Sequence, residues 1–213
     1  MKKEAIATRF GRIFGNPLAK VLSKTRTKPN HVTLFTLIPG SIAAYFFLTN
    51  RLFLGVLFFI FAHVLDCTDG ALARLTNNET EFGRKLDFRI DIIRNSLMYF
   101  GLWYGIYYLN NQWFIGGAII AAHYFVMVFG YMFIQYEMIF SSKLTSHDEG
   151  LITFMILPLL AMVDPMYFRI GLPIIISIQF TNYLILFLKQ KKRPNIILNI
   201  KKTFKLVKDE KKK

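Results

Sequence analysis

Long apolar stretches alternate with short polar ones along most of the chain. Most of the apolar stretches are long enough to form a helix that crosses a bilayer, for which about 20 residues are needed. The pattern therefore predicts an all-α fold, namely a bundle of six transmembrane helices. The expected spans are 31–49, 52–74, 84–109, 113–140, 150–164 and 168–188.

Residues 5–23 precede the first span and combine apolar and basic side chains at helical spacing. This pattern is typical of an amphipathic helix that lies in the plane of the membrane interface. The Gly-Asn-Pro sequence at 15–17 is expected to interrupt this helix, because proline lacks the N–H group that a helix interior uses. Asn30 is the expected cap of the first span.

Basic residues are concentrated at the two ends of the chain, whose net charge is +14. We therefore divide it into an interfacial segment (1–28), a six-span domain (29–190) and a basic tail (191–213). Basic segments beside spans indicate the cytoplasmic side and contact with anionic lipid headgroups. With six spans, both termini of this multi-pass protein face the cytoplasm. We expect no nucleic-acid partner, because the basic segments flank spans and match no nucleic-acid-binding motif.

Four aspartates lie near the facing ends of the second and third spans: Asp66, Asp69, Asp87 and Asp91. A carboxylate within the membrane costs about 3 kcal/mol, so such residues are functional candidates. Residues three or four apart share one helix face, so the four form two stripes. The loop between the spans is short, and we expect antiparallel neighbouring helices whose carboxylates converge near the cytoplasmic surface. Oxygen ligands without His or Cys favour Mg²⁺ or Mn²⁺, and four carboxylates indicate two ions.

The aspartates belong to a longer pattern, Asp-x2-Asp-Gly-x2-Ala-Arg-x8-Gly-x3-Asp-x3-Asp, in which every fixed position is filled. This pattern resembles the signature of the CDP-alcohol phosphotransferase (CDP-alcohol phosphatidyltransferase) family. The resemblance implies metal-dependent transfer of a substituted phosphate group from a CDP-alcohol, such as CDP-diacylglycerol, to an acceptor alcohol. CMP is released, and the product enters phospholipid biosynthesis. A homodimer surrounded by membrane lipids, with its active site on the cytoplasmic side, is the expected assembly.

The resemblance also implies roles for single residues of the motif. The metal ligands would be Asp66, Asp69, Asp87 and Asp91. Asp91 would in addition be the general base that takes the proton of the acceptor hydroxyl. The CDP-alcohol site would include Gly70, Ala73, Arg74 and Gly83. Glycine and alanine remove side-chain bulk where a diphosphate approaches a helix, and arginine can neutralise phosphate.

Weaker signals come from residues outside the motif. The stretch Pro-Asn-x2-Thr is similar to a start common in the family, which places Asn30 and Thr33 near the nucleotide; helix capping is the alternative. Arg89 and Arg94 either offset the charge of the neighbouring aspartates or contact phosphate. Glu149, at the start of the fifth span, is a candidate for the acceptor site, and a favourable interaction with the helix dipole is its alternative role.

The identity of the acceptor stays open. Gly150 stands where inositol-phosphate-using relatives tend to carry Arg, and Phe88 stands where glycerophosphate-type synthases carry Pro. Alternatives within the same chemistry are a synthase that joins water-soluble alcohol phosphates and a choline- or ethanolamine-type phosphotransferase. A cation or proton transporter is the alternative from another class. A transporter would need polar groups that continue across the bilayer, whereas the acidic residues here cluster at one depth.

Overall fold

The structure is a computed structural model that describes residues 6–112, 114–122, 125 and 150–191. Within these residues every regular element is helical, in agreement with the expected all-α fold. The helices are α1 (Ile6–Leu22), α2 (Pro29–Phe35), α3 (Leu37–Leu48), α4 (Leu52–Leu75), α5 (Glu81–Leu102), α6 (Leu157–Ala161) and α7 (Pro165–Lys191). Residues 114–122 are also helical. Shorter turns of π or 3-10 type are Trp103–Tyr107, Tyr108–Asn110 and Ile152–Ile156.

Helix α1 is continuous through Pro17, so the predicted interruption at this point is wrong. A proline inside a helix costs about 3 kcal/mol. Close packing against α4 helps to offset this cost: a Cβ on Gly11 would collide with Cys67, and one on Gly15 would lie 3.1 Å from the Val64 carbonyl oxygen. Large apolar side chains stay exposed on α1, namely Ile13, Phe14 and Val21.

The first expected span consists of two helices, α2 and α3, which meet at Thr36. Thr36 is buried, and its Oγ1 donates a hydrogen bond to the Thr33 carbonyl oxygen at 2.7 Å. Pro29 occupies the first helical position, which suits its fixed φ, and Lys28 is the N-cap in an extended conformation. The prediction that Asn30 caps this helix is therefore wrong, because Asn30 already lies inside α2.

Helices α2 and α3 pack against both α4 and α5. Helix α5 approaches α3 closely at Gly101, where a Cβ would collide with the carbonyl oxygen of Ala44. The π turn that follows approaches α3 at Gly105, where a Cβ would collide with the carbonyl oxygen of Phe47. The expected direct pairing of α4 with α5 is not a main packing contact. The physical reason is that polar side chains occupy the sides on which α4 and α5 approach each other, whereas glycines let α5 pack tightly on α3.

The apolar core joins α3, α4, α5, α6 and α7. Its fully buried large side chains include Phe47, Met98, Leu102, Phe154, Phe168 and Leu172. In the described part of the chain, two helical stretches are long and apolar enough to cross a membrane, Pro29–Leu48 and Leu52–Leu75. Shorter apolar helices are Ile152–Ala161 and Pro165–Ile178. Most of the expected span 113–140 lies outside the described residues, so the count of six spans stays a prediction.

Candidate active site

Three of the predicted metal ligands meet where α4 ends and α5 begins. One carboxylate oxygen from each of Asp66, Asp87 and Asp91 lies within 4.8 Å of the others. Asp66 belongs to α4, whereas Asp87 and Asp91 are one turn apart on the same face of α5. The helical spacing in the sequence thus brings carboxylates from two helices to one point.

Asp69 has a different environment from these three residues. Its Oδ2 accepts a hydrogen bond from the Oγ1 of Thr33 at 2.6 Å, and both side chains are buried. Thr33 belongs to α2, so this hydrogen bond connects α2 to the acidic end of α4. A hydrogen bond to an ionised group is stronger than one between neutral groups. The bond therefore holds the Asp69 carboxylate in a defined orientation.

Arg94 pairs with carboxylates of both helices. Its Nη1 lies 2.8 Å from Asp66 Oδ1, and its Nη2 lies 2.6 Å from Asp91 Oδ1. The side chains of Arg94, Asp66 and Asp91 are 7%, 11% and 8% exposed. Ion pairs this deeply buried are screened little by solvent. Arg94 therefore offsets part of the negative charge, which is the first of the two roles that the sequence left open; Arg89 is exposed on the same helix.

A cavity of about 380 Å³ lies beside the acidic residues. Its wall includes two aspartates and most of the residues expected to bind the CDP-alcohol: Asp69, Asp87, Asn30, Thr33, Gly70, Ala73 and Gly83. Arg74 is exposed on α4, and its Nη1 would lie 3.4 Å from a Cβ built on Gly70. The remaining wall comes from Pro29 of α2, from the α4–α5 loop and from the first turn of α5. The loop and first-turn residues, which the motif does not single out, are Asn78, Glu79, Thr80, Glu81 and Arg84.

Gly83 allows α2 and α5 to approach each other at this wall. Thr80 caps α5, and its Oγ1 accepts a hydrogen bond from the Gly83 backbone N–H at 2.9 Å. A Cβ on Gly83 would lie 3.0 Å from Asn30 Oδ1, so a larger residue would displace the asparagine. At the rim, Lys85 Nζ lies 2.7 Å from Glu81 Oε1. This hydrogen bond and the charge of Lys85 lower the pKa of Glu81, which keeps the rim carboxylate ionised.

The donor atoms of this site fit a hard divalent cation. Asp66, Asp87 and Asp91 offer oxygen atoms, which Mg²⁺ and Mn²⁺ prefer as ligands. Arg94 contacts one oxygen of Asp66 and one of Asp91, so it lies beside two of these three candidate ligands. Glu149, the candidate for the acceptor site, lies outside the described residues, and its role stays a prediction.

The family model of CDP-alcohol phosphatidyltransferases matches residues 26–188 of the chain. The chain belongs to this family. The resemblance carried by the aspartate motif is thereby confirmed.

An uncharacterised protein of Aquifex aeolicus is 35% identical over 94 residues, which are 44% of this chain and 47% of that protein. The archaetidylinositol phosphate synthase of Pyrococcus horikoshii is 34% identical over 86 residues, 40% of this chain and 45% of the relative. The chain thus spans less than half the length of these curated relatives.

The fold of this family member is similar to that of a solved enzyme. The crystal structure of Mycobacterium tuberculosis phosphatidylinositol phosphate synthase (PgsA1) with CDP-DAG bound superposes with a TM-score of 0.72 and 18% identity, covering 86% of this chain and 96% of that one. The form in complex with manganese and citrate superposes with a TM-score of 0.70, covering 86% and 91%. At this identity the likeness shows a shared helical fold.

Two features of the site are not evident from the motif. The first is the contact of Arg94 with carboxylates on both helices, for which the i, i+3 spacing of Asp91 and Arg94 is a partial signal. The second is Gly40 of α3, where a Cβ would collide with Arg94 Cγ and lie 2.9 Å from its Cδ. No sequence pattern connects residues 40 and 94, because this contact exists only after α3 packs on α5.

Proposed function

We propose that this protein transfers the substituted phosphate group of a CDP-alcohol to an acceptor alcohol and releases CMP. The observation that supports the proposal best is the meeting of Asp66, Asp87 and Asp91 beside a cavity lined by most of the expected CDP-site residues. Membership of the family supplies the reaction class. The relative solved with CDP-DAG favours a lipid-linked donor such as CDP-diacylglycerol.

Two divalent ions, Mg²⁺ or Mn²⁺, are the proposed cofactors, and their ligands are Asp66, Asp69, Asp87 and Asp91. When bound, such ions neutralise the diphosphate and stabilise the charge that develops during phosphoryl transfer. The manganese complex of the solved relative supports the use of a divalent ion. In this chain, Thr33 orients Asp69 and Arg94 orients Asp66, so neither carboxylate has to reorganise when a cation arrives.

Asp91 is the proposed general base. It takes the proton of the acceptor hydroxyl while that oxygen attacks the phosphorus atom that carries the alcohol. The bond from this phosphorus to the oxygen of the CMP moiety breaks, and CMP leaves with the electron pair. General-base assistance of this kind contributes about 10²- to 10⁴-fold to the rate.

The cavity wall is the proposed binding site for the CDP-alcohol. Gly70, Ala73 and Gly83 leave space for the diphosphate and nucleotide, and the exposed guanidinium of Arg74 would neutralise phosphate. Asn30 and Thr33 line the same cavity and are placed near the nucleotide in this proposal. Their polar atoms lie beside the glycine wall, which supports nucleotide binding over a helix-capping role for Asn30.

The acceptor is the least defined part of the proposal. The names of the Pyrococcus relative and of the solved enzyme favour an inositol phosphate. Against this, Gly150 stands at a position where such enzymes tend to carry Arg. A Cβ built on Gly150 would have no neighbour within 4 Å among the described residues. Glu149 remains the candidate acceptor-site residue.

The decisive experiment is an assay of CMP release by the purified full chain in detergent. A panel of CDP-alcohols, including CDP-diacylglycerol, is combined with inositol phosphate, glycerol phosphate, choline and ethanolamine. We expect CMP release with one donor class, loss of this activity with a chelator, and its return with Mg²⁺ or Mn²⁺. Full activity after exhaustive chelation would contradict the metal-dependent mechanism. Cation flux into proteoliposomes, without CMP release from any pair, would favour the transporter instead.

We further propose six spans, with α1 in the membrane interface, a homodimeric assembly, and both termini and the active site on the cytoplasmic side. The two long apolar stretches and the basic chain ends support this orientation. It is tested by an impermeant thiol reagent added outside intact cells that carry Asn78→Cys or Asp164→Cys in a Cys67→Ser background. We expect labelling at position 164 only; strong labelling at position 78 would invert the orientation.

A further inference from the structure

Arg94 is held in place from two sides. Its guanidinium contacts Asp66 of α4 through Nη1 and Asp91 of α5 through Nη2. Its aliphatic stem lies directly over Gly40 of α3, because a Cβ at position 40 would collide with Cγ and approach Cδ to 2.9 Å. Arg94 thus connects three helices, and only a residue without a side chain fits beneath it.

These contacts restrain two of the candidate metal ligands. Both contacts of Arg94 engage an Oδ1 atom, one on Asp66 and one on Asp91. The contact with Asp66 is a hydrogen bond and the contact with Asp91 is an ion pair, so one guanidinium restrains both carboxylates. The Asp87 carboxylate, which belongs to the same group, completes the oxygen cluster. The positive charge of Arg94 also offsets the repulsion between the two buried carboxylates.

We infer that Arg94 is a positioning residue for the divalent metal site, and that Gly40 leaves the space that the aliphatic stem of Arg94 occupies. This inference rests on the proposed metal-dependent function. Arg94 holds Asp66 and Asp91 in the orientation that binds a cation and does not itself act on the substrate. Loss of a residue that holds a metal ligand in place typically weakens metal binding by about 10- to 100-fold.

The test uses two variants that keep the net charge of the site. Arg94→Lys retains the positive charge but loses the two-nitrogen fork. Gly40→Ala leaves every charged residue unchanged and displaces the stem of Arg94. Because the charge is constant in both, a change in cation affinity reports the orientation of the carboxylates and not their electrostatic balance. The matched control is Gly55→Ala, in which the new Cβ collides with the ring of Phe47 in the apolar core.

The measurement is a titration of the detergent-solubilised full chain with Mn²⁺ alone, in which free Mn²⁺ is followed by electron paramagnetic resonance. We expect Arg94→Lys and Gly40→Ala to weaken Mn²⁺ binding by about tenfold or more. Gly55→Ala is expected to lower Tm while it keeps the wild-type Mn²⁺ affinity. A purely structural role of Arg94 would give the opposite pattern, in which affinity does not change while Tm falls.

Wild-type Mn²⁺ affinity in folded Arg94→Lys protein would overturn the inference, and so would wild-type affinity in folded Gly40→Ala protein. Circular dichroism establishes folding, and if one variant does not fold, the other decides. A wild-type protein that does not bind Mn²⁺ would contradict the proposed metal site itself. If the wild-type protein binds Mn²⁺ and the variants bind it equally tightly, only the role of Arg94 is contradicted.

Discussion

Both ends of α4 border a cavity, and the larger cavity is not the candidate active site. The cavity at the acidic end measures about 380 Å³, and the one at the start of α4 measures about 470 Å³. The smaller cavity is lined by carboxylates, glycines and hydroxyls, whereas the larger one is lined mainly by apolar residues with Asn50, Arg51 and Asn110. A few converging polar groups, and not cavity volume, therefore distinguish the candidate active site from the other end of α4.

The difference originates in the two halves of α4. The first half is almost entirely apolar, from Leu52 to Ala62, and the second half carries Asp66, Asp69 and Gly70. Apolar residues at the start of the helix belong to the core, where α4 packs against α3 and α6. The acidic half is held by polar contacts, namely those of Thr33 and Arg94. One helix thus combines an anchoring half and a half that presents oxygen ligands.

The largest effect should come from removing the proposed base at the acidic end. Asp91→Asn keeps the size of the side chain but cannot accept the proton, so we expect turnover to fall by at least about 10²-fold. Binding of the CDP-alcohol should be largely retained, because asparagine keeps an oxygen that can bind a cation and position 91 is not part of the cavity wall. CMP release and equilibrium binding of the donor measure the two effects.

The matched control is Asp164→Asn, which makes the same chemical change at an exposed aspartate before α7. We expect its turnover to equal that of the wild type. Equal losses of turnover in Asp91→Asn and Asp164→Asn would contradict the difference between the two ends. Normal turnover of Asp91→Asn with weak binding of the donor would assign Asp91 a role in binding.

A smaller effect is expected from narrowing the acidic cavity. Gly70→Val adds bulk at a wall where the nearest side-chain atom is Arg74 Nη1, 3.4 Å from the Cβ position. We expect the KM for the CDP-alcohol to rise about tenfold, equivalent to about 1.4 kcal/mol. Met162→Trp fills the larger cavity instead and should leave KM unchanged. A higher KM for Met162→Trp alone would move the donor site to the other end.

The smallest effect concerns the stability of the end that lies away from the candidate active site. Asp164 Oδ1 accepts a hydrogen bond from the Met166 backbone N–H at 2.8 Å and caps the start of α7. Asp164→Ala should lower the free energy of unfolding by about 1 kcal/mol, because a helix cap is lost. Turnover at the acidic end should stay at the wild-type level. Reduced turnover at unchanged substrate affinity would show that the two ends are coupled through α7.

The sequence alone determined the helical fold and the identity of the candidate site residues. Apolar stretches of membrane-spanning length specify helices, and α4 and α7 lie within a few residues of the predicted spans. The spacing of Asp87 and Asp91 predicted a shared helix face because that relation is local to one helix. The aspartate motif also identified the family, because its fixed positions belong to two adjacent helices and the short loop between them.

Only the tertiary structure decided the contacts between helices. It shows α2 and α3 packed against both α4 and α5, where the sequence predicted a direct pairing. It also places Gly40 beneath Arg94 and keeps α1 continuous through Pro17 against the local preference of proline. The physical reason is that periodicity along a chain records which residues share a face of one helix. The packing of glycines and buried charges across helices sets which faces meet, and this information is not contained in any single segment.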